Sequence, residues 1–183
     1  EEDAEVRELS ESIGAALADP VLLAAMRGVA ADGGAAVRRR RQAVEVLASA
    51  ATAENLPVLL GLLGEPELRG DVIPRLARFR GDEVAEKLLA GLGQYADEQR
   101  QLAVEVLCGR ADWSVRLLDE IEGGRQPRSL LTAWNARQMA AVGDAMLRKR
   151  LEAIWGRIGA GSEELQRQIQ QQSAAWRGAP LWA

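Results

Sequence analysis

The chain contains no histidine, and Cys108 is its only cysteine. These two shortages exclude much chemistry. Ser-His-Asp and Cys-His nucleophilic sites, histidine-ligated metals, zinc ribbons, intrachain disulfides and the C-x-x-C-H haem attachment all need residues that are missing. An enzyme built only from carboxylates, lysine and arginine remains open, but the inventory argues for a non-enzyme with no cofactor. Aromatic residues make up only 4% of the chain. No apolar run approaches the roughly eighteen residues that suggest a membrane span, and no secretory signal is visible. The first residue is Glu1 rather than methionine, so we expect an excised piece, and the missing signal leaves the compartment open.

What is present favours helix. The 183 residues are 48% hydrophobic and 27% charged, and alanine, leucine, arginine and glutamate, all good helix formers, are abundant. The net charge of −4 gives no overall attraction to nucleic acid or anionic lipid. The run Ala43-Val44-Glu45-Val46-Leu47 recurs as Ala103-Val104-Glu105-Val106-Leu107, and Ile73-Pro74-Arg75-Leu76-Ala77 lies midway. A thirty-residue ruler aligns Ile13, Ala43, Ile73 and Ala103, and likewise Leu17, Leu47, Ala77 and Leu107. It also aligns Arg40 with Arg100, and Leu88 with Val58 and Leu118.

The apolar spacing predicts four helix pairs, at about 1–34, 35–64, 65–95 and 96–124. Asp19-Pro20 and Asn55 read as helix starts, and Pro74 should kink or split its helix. One pair is too small to bury its own apolar face, so neighbours must stack. The expected fold is all-α, a right-handed α-solenoid with its contact surface on the second helices of the pairs. An excess of exposed leucine or arginine there would mark that surface. The ruler fails after Gly124. Residues 125–177 read as a helical cap with a helix opening at Thr132, another around Leu147 and Leu151, and a last one after Ser162. Residues 178–183 read as a tail or linker.

Four features invite a functional reading. Arg38, Arg39, Arg40 and Arg41 are a candidate anion or partner contact, although four consecutive residues fan through about 300° of a helix. A solvated face, with Glu45 four residues beyond Arg41, is the stronger reading. Cys108 reads as a structural thiol. Trp113, Trp134, Trp155 and Trp176 are evenly spaced, and they read as anchors of the cap rather than a ligand cage, whereas Trp182 is a candidate for docking on a partner. The acids Glu83, Glu86, Asp119, Glu120 and Glu122 read as exposed helix faces.

The pattern Arg40-x-x-Ala43-x-x-x-Leu47, repeated from Arg100 to Leu107, resembles short HEAT-like repeats. The run from Leu117 to Ala133, followed by Gly143 to Arg148 and the Trp155-Gly156-Arg157-Ile158 ending, resembles part of large planctomycete-type proteins. In those a dehydrogenase-like propeller precedes a HEAT-like solenoid and a cytochrome c domain follows it. The resemblance implies a non-catalytic scaffold that spaces or docks protein domains outside the cytoplasm. This chain carries neither flanking domain and no haem-binding residue. The alternative expectation is a module for acidic ligands or nucleic acid at Arg38 to Arg41, which the acidic charge balance disfavours.

Overall fold

The computed structural model describes residues 19–142 and 145–155. The expected helices before residue 19 and after Ser162, with Trp176 and Trp182, lie outside them. The described residues form helices joined by turns and loops, with no strand. Nine α-helices follow in order: α1 (Pro20–Ala31), α2 (Val37–Ala50), α3 (Leu56–Leu62), α4 (Pro66–Arg75), α5 (Asp82–Gly91), α6 (Asp97–Cys108), α7 (Ala111–Glu122), α8 (Ala133–Ala141) and α9 (Ala145–Trp155).

The helix ends follow from local chemistry. Asp19 caps α1, its Oδ1 accepting from the Val21 N–H at 2.8 Å, and Pro20 occupies the first turn, where no donor is needed. Pro74 removes one backbone donor, and α4 closes one residue later, tightening into a 3₁₀ turn at Leu76–Arg78. Thr132 caps α8 reciprocally: its Oγ1 accepts from the Asn135 N–H at 3.2 Å, and Asn135 Oδ1 accepts from the Thr132 N–H at 2.9 Å.

Asn55 stands at the N-cap position of α3 as expected, but its side chain is used elsewhere. It is fully buried, donates from Nδ2 to the Leu47 carbonyl at 3.0 Å, and accepts from Arg27 at 2.8 Å. It therefore ties α1 to the C-terminal turn of α2 and makes no capping bond to α3.

Neighbouring helices alternate along the chain. Alternate helices touch in sequence, α2 with α4, α4 with α6 and α6 with α8. On the other side α1 touches α3, α5 touches α7, and α7 touches α9. One continuous core runs between them, with Leu47, Leu59, Leu76, Leu88, Leu107 and Leu118 all completely buried. Burying a leucine stabilises by about 1.5–3 kcal/mol, so this seam dominates cohesion.

The helix spacing is not a strict thirty residues. Helices α2, α4 and α6 start at Val37, Pro66 and Asp97, which are twenty-nine and then thirty-one residues apart. The equivalent of Leu47 and Leu107 is accordingly Leu76, which is buried, whereas Ala77 is exposed. The link from α3 to α4 spans only Leu63 to Glu65, while the link from α5 to α6 contains an extra 3₁₀ turn at Leu92–Gln94. Unequal links shift the phase without disturbing the buried face.

Candidate functional site

The four consecutive arginines do not form one site. Arg40, the fourth residue of α2, points inward and is only 4% exposed. Its Nε donates to the Ala30 carbonyl at 2.9 Å, and its two terminal nitrogens clamp Glu65 at 2.6 and 2.7 Å. The hydrogen bond from Arg40 holds the Glu65 carboxyl below its usual range. Arg41 reaches Asp71 at 2.9 Å and the Glu67 carbonyl at 3.1 Å. Arg38 and Arg39 are exposed and carry no ion pair among the described residues. Glu45, expected beside Arg41, is held instead by Arg75, whose Nε lies 2.7 Å away. A helical fan separates the four side chains, as the geometry of α2 requires.

Arg40 belongs to a set that a strict ruler misses. Arg69 and Arg100 are likewise the fourth residues of α4 and α6. The Nε of Arg69 donates to the Leu63 carbonyl at 2.7 Å, and that of Arg100 to the Leu92 carbonyl at 3.0 Å. Each of the three guanidinium groups thus satisfies a carbonyl at the C-terminal end of the preceding helix, where backbone acceptors lack partners and the helix dipole is negative. Arg69 also bonds Gln99 at 3.1 Å and lies 4.9 Å from the Tyr95 ring centre. A one-residue phase shift hid Arg69 behind Gly70. The signal that reveals it is position within the helix, not distance along the chain.

Ion pairs repeat the same interval on the surface. Arg75 reaches Glu45 and Arg116 reaches Glu86, each across thirty residues. Arg150 spans thirty-one residues to Asp119 at 2.6 Å and twenty-eight to Glu122. Arg125 holds Glu120 at 2.8 Å and pulls its carboxyl below the usual range. Glu86, Asp119, Glu120 and Glu122 are therefore ion-paired helix-face acids. Among the described residues, no group of three or more acids or cysteines is arranged to hold a metal.

Cys108 is completely buried, and its thiol is pushed up to about 12 by burial, with Glu105 adding to the effect. A thiol of this kind stays protonated and inert. Of the tryptophans, Trp113 is fully buried under the Arg110 guanidinium, which lies 4.7 Å from its ring. Trp155 is half-buried against the core. Trp134 contradicts the anchor reading, because it stands 62% exposed. It is the second residue of α8, on the side away from the buried Ala136 and Met139.

The second-helix surface lacks the expected excess of leucine or arginine. Leucines on α1, α3, α5 and α7 are buried or half-buried. The exposed positions are small and apolar on α1, with Val21 the largest, and mainly acidic on α5 and α7. The opposite surface holds a more structured feature. A groove of about 250 Å³ crosses α4, α6 and α8, walled by Pro74, Ala77, Leu102 and Val106, with Trp113 and Gln138 also lining it. A second cavity, of about 380 Å³, lies between the start of α6 and the 126–132 loop, but the donors of its Arg100 are already committed to Leu92, Asp97 and Tyr95.

No family model, curated protein or solved structure matches the chain. No helix among the described residues is long and apolar enough to cross a membrane.

Proposed function

We propose that the chain is an α-solenoid of HEAT-like helix pairs that serves as a non-catalytic scaffold, spacing and docking protein domains. The supporting observation is the recurrence of side-chain ties across about thirty residues, from Arg75–Glu45 through Arg69–Gln99 and Arg116–Glu86 to Arg150–Asp119. Such ties link each pair to the next, which suits a stacked array. Buried guanidinium groups that bridge helix ends resist bending between pairs, which suits a spacer. The inert thiol and ion-paired acids are consistent with this role. On the resemblance of the Leu117–Ala133 run, the domains it spaces are a dehydrogenase-like propeller and a haem c domain. The alternative, an acidic-ligand or nucleic-acid site at Arg38 to Arg41, has less support because Arg40 and Arg41 are engaged within the fold.

Rigidity is the testable consequence. Nitroxide labels on Arg39→Cys and Arg137→Cys, both exposed positions, report the distance between α2 and α8 while buried Cys108 stays unlabelled. A spacer gives one narrow distance distribution. A broad or multimodal distribution would remove the spacer reading.

A further inference from the structure

We propose that the groove across α4, α6 and α8 binds a short extended segment of a partner protein, one that presents an aliphatic side chain followed by lysine or arginine. The proposal rests on the scaffold reading above and gives it a docking surface and a partner chemistry. Three observations select this occupant.

The first is size. At about 250 Å³ the groove falls below the roughly 300–1,000 Å³ of ordinary small-ligand pockets. It suits one aliphatic side chain with its attached peptide unit, seated against Pro74, Ala77, Leu102 and Val106. Exposed Ala77 and Gly109 keep it open.

The second is the pair of unpartnered polar atoms on its lining residues. Trp113 Nε1 and Gln138 Oε1 are buried and bonded to nothing. The indole nitrogen can only donate and the amide oxygen can only accept. Leaving either unpaired costs about 1–3 kcal/mol. A peptide unit supplies one acceptor and one donor, so it can satisfy both after a small adjustment of the half-buried Gln138. A hydrocarbon supplies neither, and an ionised carboxylate supplies no donor.

The third is charge. Only two charged residues line the groove, Glu105 and Arg110. Arg110 is held by Asp112 at 3.0 and 3.2 Å. Glu105 is exposed and has no ion pair among the described residues, so the uncompensated charge is negative. A cationic residue beside the aliphatic one complements it.

The competing occupant is a trapped water, which also offers a donor and an acceptor. Titration of the folded protein with acetyl-Gly-Leu-Lys-Gly-amide and with acetyl-Gly-Leu-Glu-Gly-amide separates the two. The readout is the Trp113 indole N–H resonance, assigned from a Trp113→Phe sample. The proposal expects a saturable shift of that resonance and binding of the lysine peptide about three-fold tighter, a preference lost in Glu105→Gln. Ala77→Phe fills the groove from an exposed position, so its melting curve should match the parent while binding weakens by about ten-fold or more. Absence of a saturable shift up to about 10 mM peptide would mean water only and would overturn the proposal. Equal binding by Ala77→Phe, or no charge preference, would overturn it as well. None of these failures alters the spin-label distance, so loss of the groove and loss of the spacer reading are told apart.

Discussion

The junctions among the early helices and those near the C-terminus differ in how deeply their arginines are buried. Between α1 and α6, Arg40, Arg69 and Arg100 place guanidinium groups on helix-end carbonyls, and Arg40 and Arg69 are themselves buried. Beyond α6 the fourth residue of α8 is Ala136, which has nothing to offer a carbonyl, and the fourth residue of α9, Arg148, donates from Nε to the Ala140 carbonyl at 3.0 Å but from an exposed position. There the long 123–132 connection is fixed by Arg125 on Glu120 and by the Thr132–Asn135 caps, and α9 is tied to α7 by Arg150 on Asp119 and Glu122. Of those partners Arg125, Asp119 and Glu122 are exposed, and Glu120 and Arg150 are partly so. The contrast teaches that one residue type, arginine, performs two jobs of unequal weight. Removing a buried guanidinium strands a carbonyl and leaves a void, whereas an exposed pair exchanges its partner for water at little cost.

The largest effect tests the phase of the repeat in the early region. Leu76→Ala should lose about 2–5 kcal/mol in urea denaturation, because it empties a completely buried position. Ala77→Ser should change stability by less than about 0.5 kcal/mol, the usual range for an exposed site. Reversed magnitudes would restore the strict thirty-residue ruler and displace the alignment of Leu47, Leu76 and Leu107.

Gly91 offers an intermediate effect at the end of α5. A Cβ there would lie 2.1 Å from the hydroxyl of buried Tyr95, the ring on which Arg69 rests. Gly91→Ala should therefore destabilise by about 1–3 kcal/mol through overpacking, despite its better helix propensity. A thermal melt showing stabilisation would indicate that Tyr95 is free to move.

Acid acts on both regions through the carboxylates. Glu65 and Glu45 are held low by hydrogen bonds from Arg40 and Arg75, and Glu120 by one from Arg125. A depressed carboxyl contributes its stability fully above its unfolded value of about 4.5 and loses it as the pH falls toward the folded value. Melting temperature should thus be flat from about pH 7 to pH 5 and fall below about 4.5. The Glu65→Gln variant should show a shallower acid fall than the parent, and an equal slope would detach Glu65 from the linkage.

The smallest effect belongs to the C-terminal junction. Arg150→Ala should lose no more than about 1 kcal/mol, and the loss should shrink in 1 M salt, where screening length falls to about 3 Å. A loss as large as that of a core residue would erase the distinction between the regions.

Much of the fold is legible in the chain because helix starts and apolar faces are local properties. Asp19-Pro20, Thr132 and the breaks at Gly33 and Gly123 locate helix ends within a residue or two. The phase of α4 is not local, since it depends on how many residues each link contains, and that is settled only when Leu76 meets the core. Asn55 stands at the N-cap of α3, as its place before Pro57 suggests, but burial turns its amide toward Leu47 and Arg27 rather than toward the α3 donors. Trp134 was misread because size suggests burial, and two residues into α8 the helix face decides instead. The groove was not legible at all. Its lining comes from α4, α6, α7 and α8, and no spacing rule brings Ala77, Trp113 and Gln138 together.

The most direct test of the buried-arginine seam is Arg69→Ala, at the position that the one-residue phase shift conceals. Its guanidinium bonds Leu63 and Gln99 and stacks on Tyr95. Equilibrium urea denaturation in low salt and in 1 M salt should show the same loss of about 2–3 kcal/mol, because a buried group is screened little. A loss under about 0.5 kcal/mol, or one that disappears in 1 M salt, would contradict the account by reducing Arg69 to a surface charge.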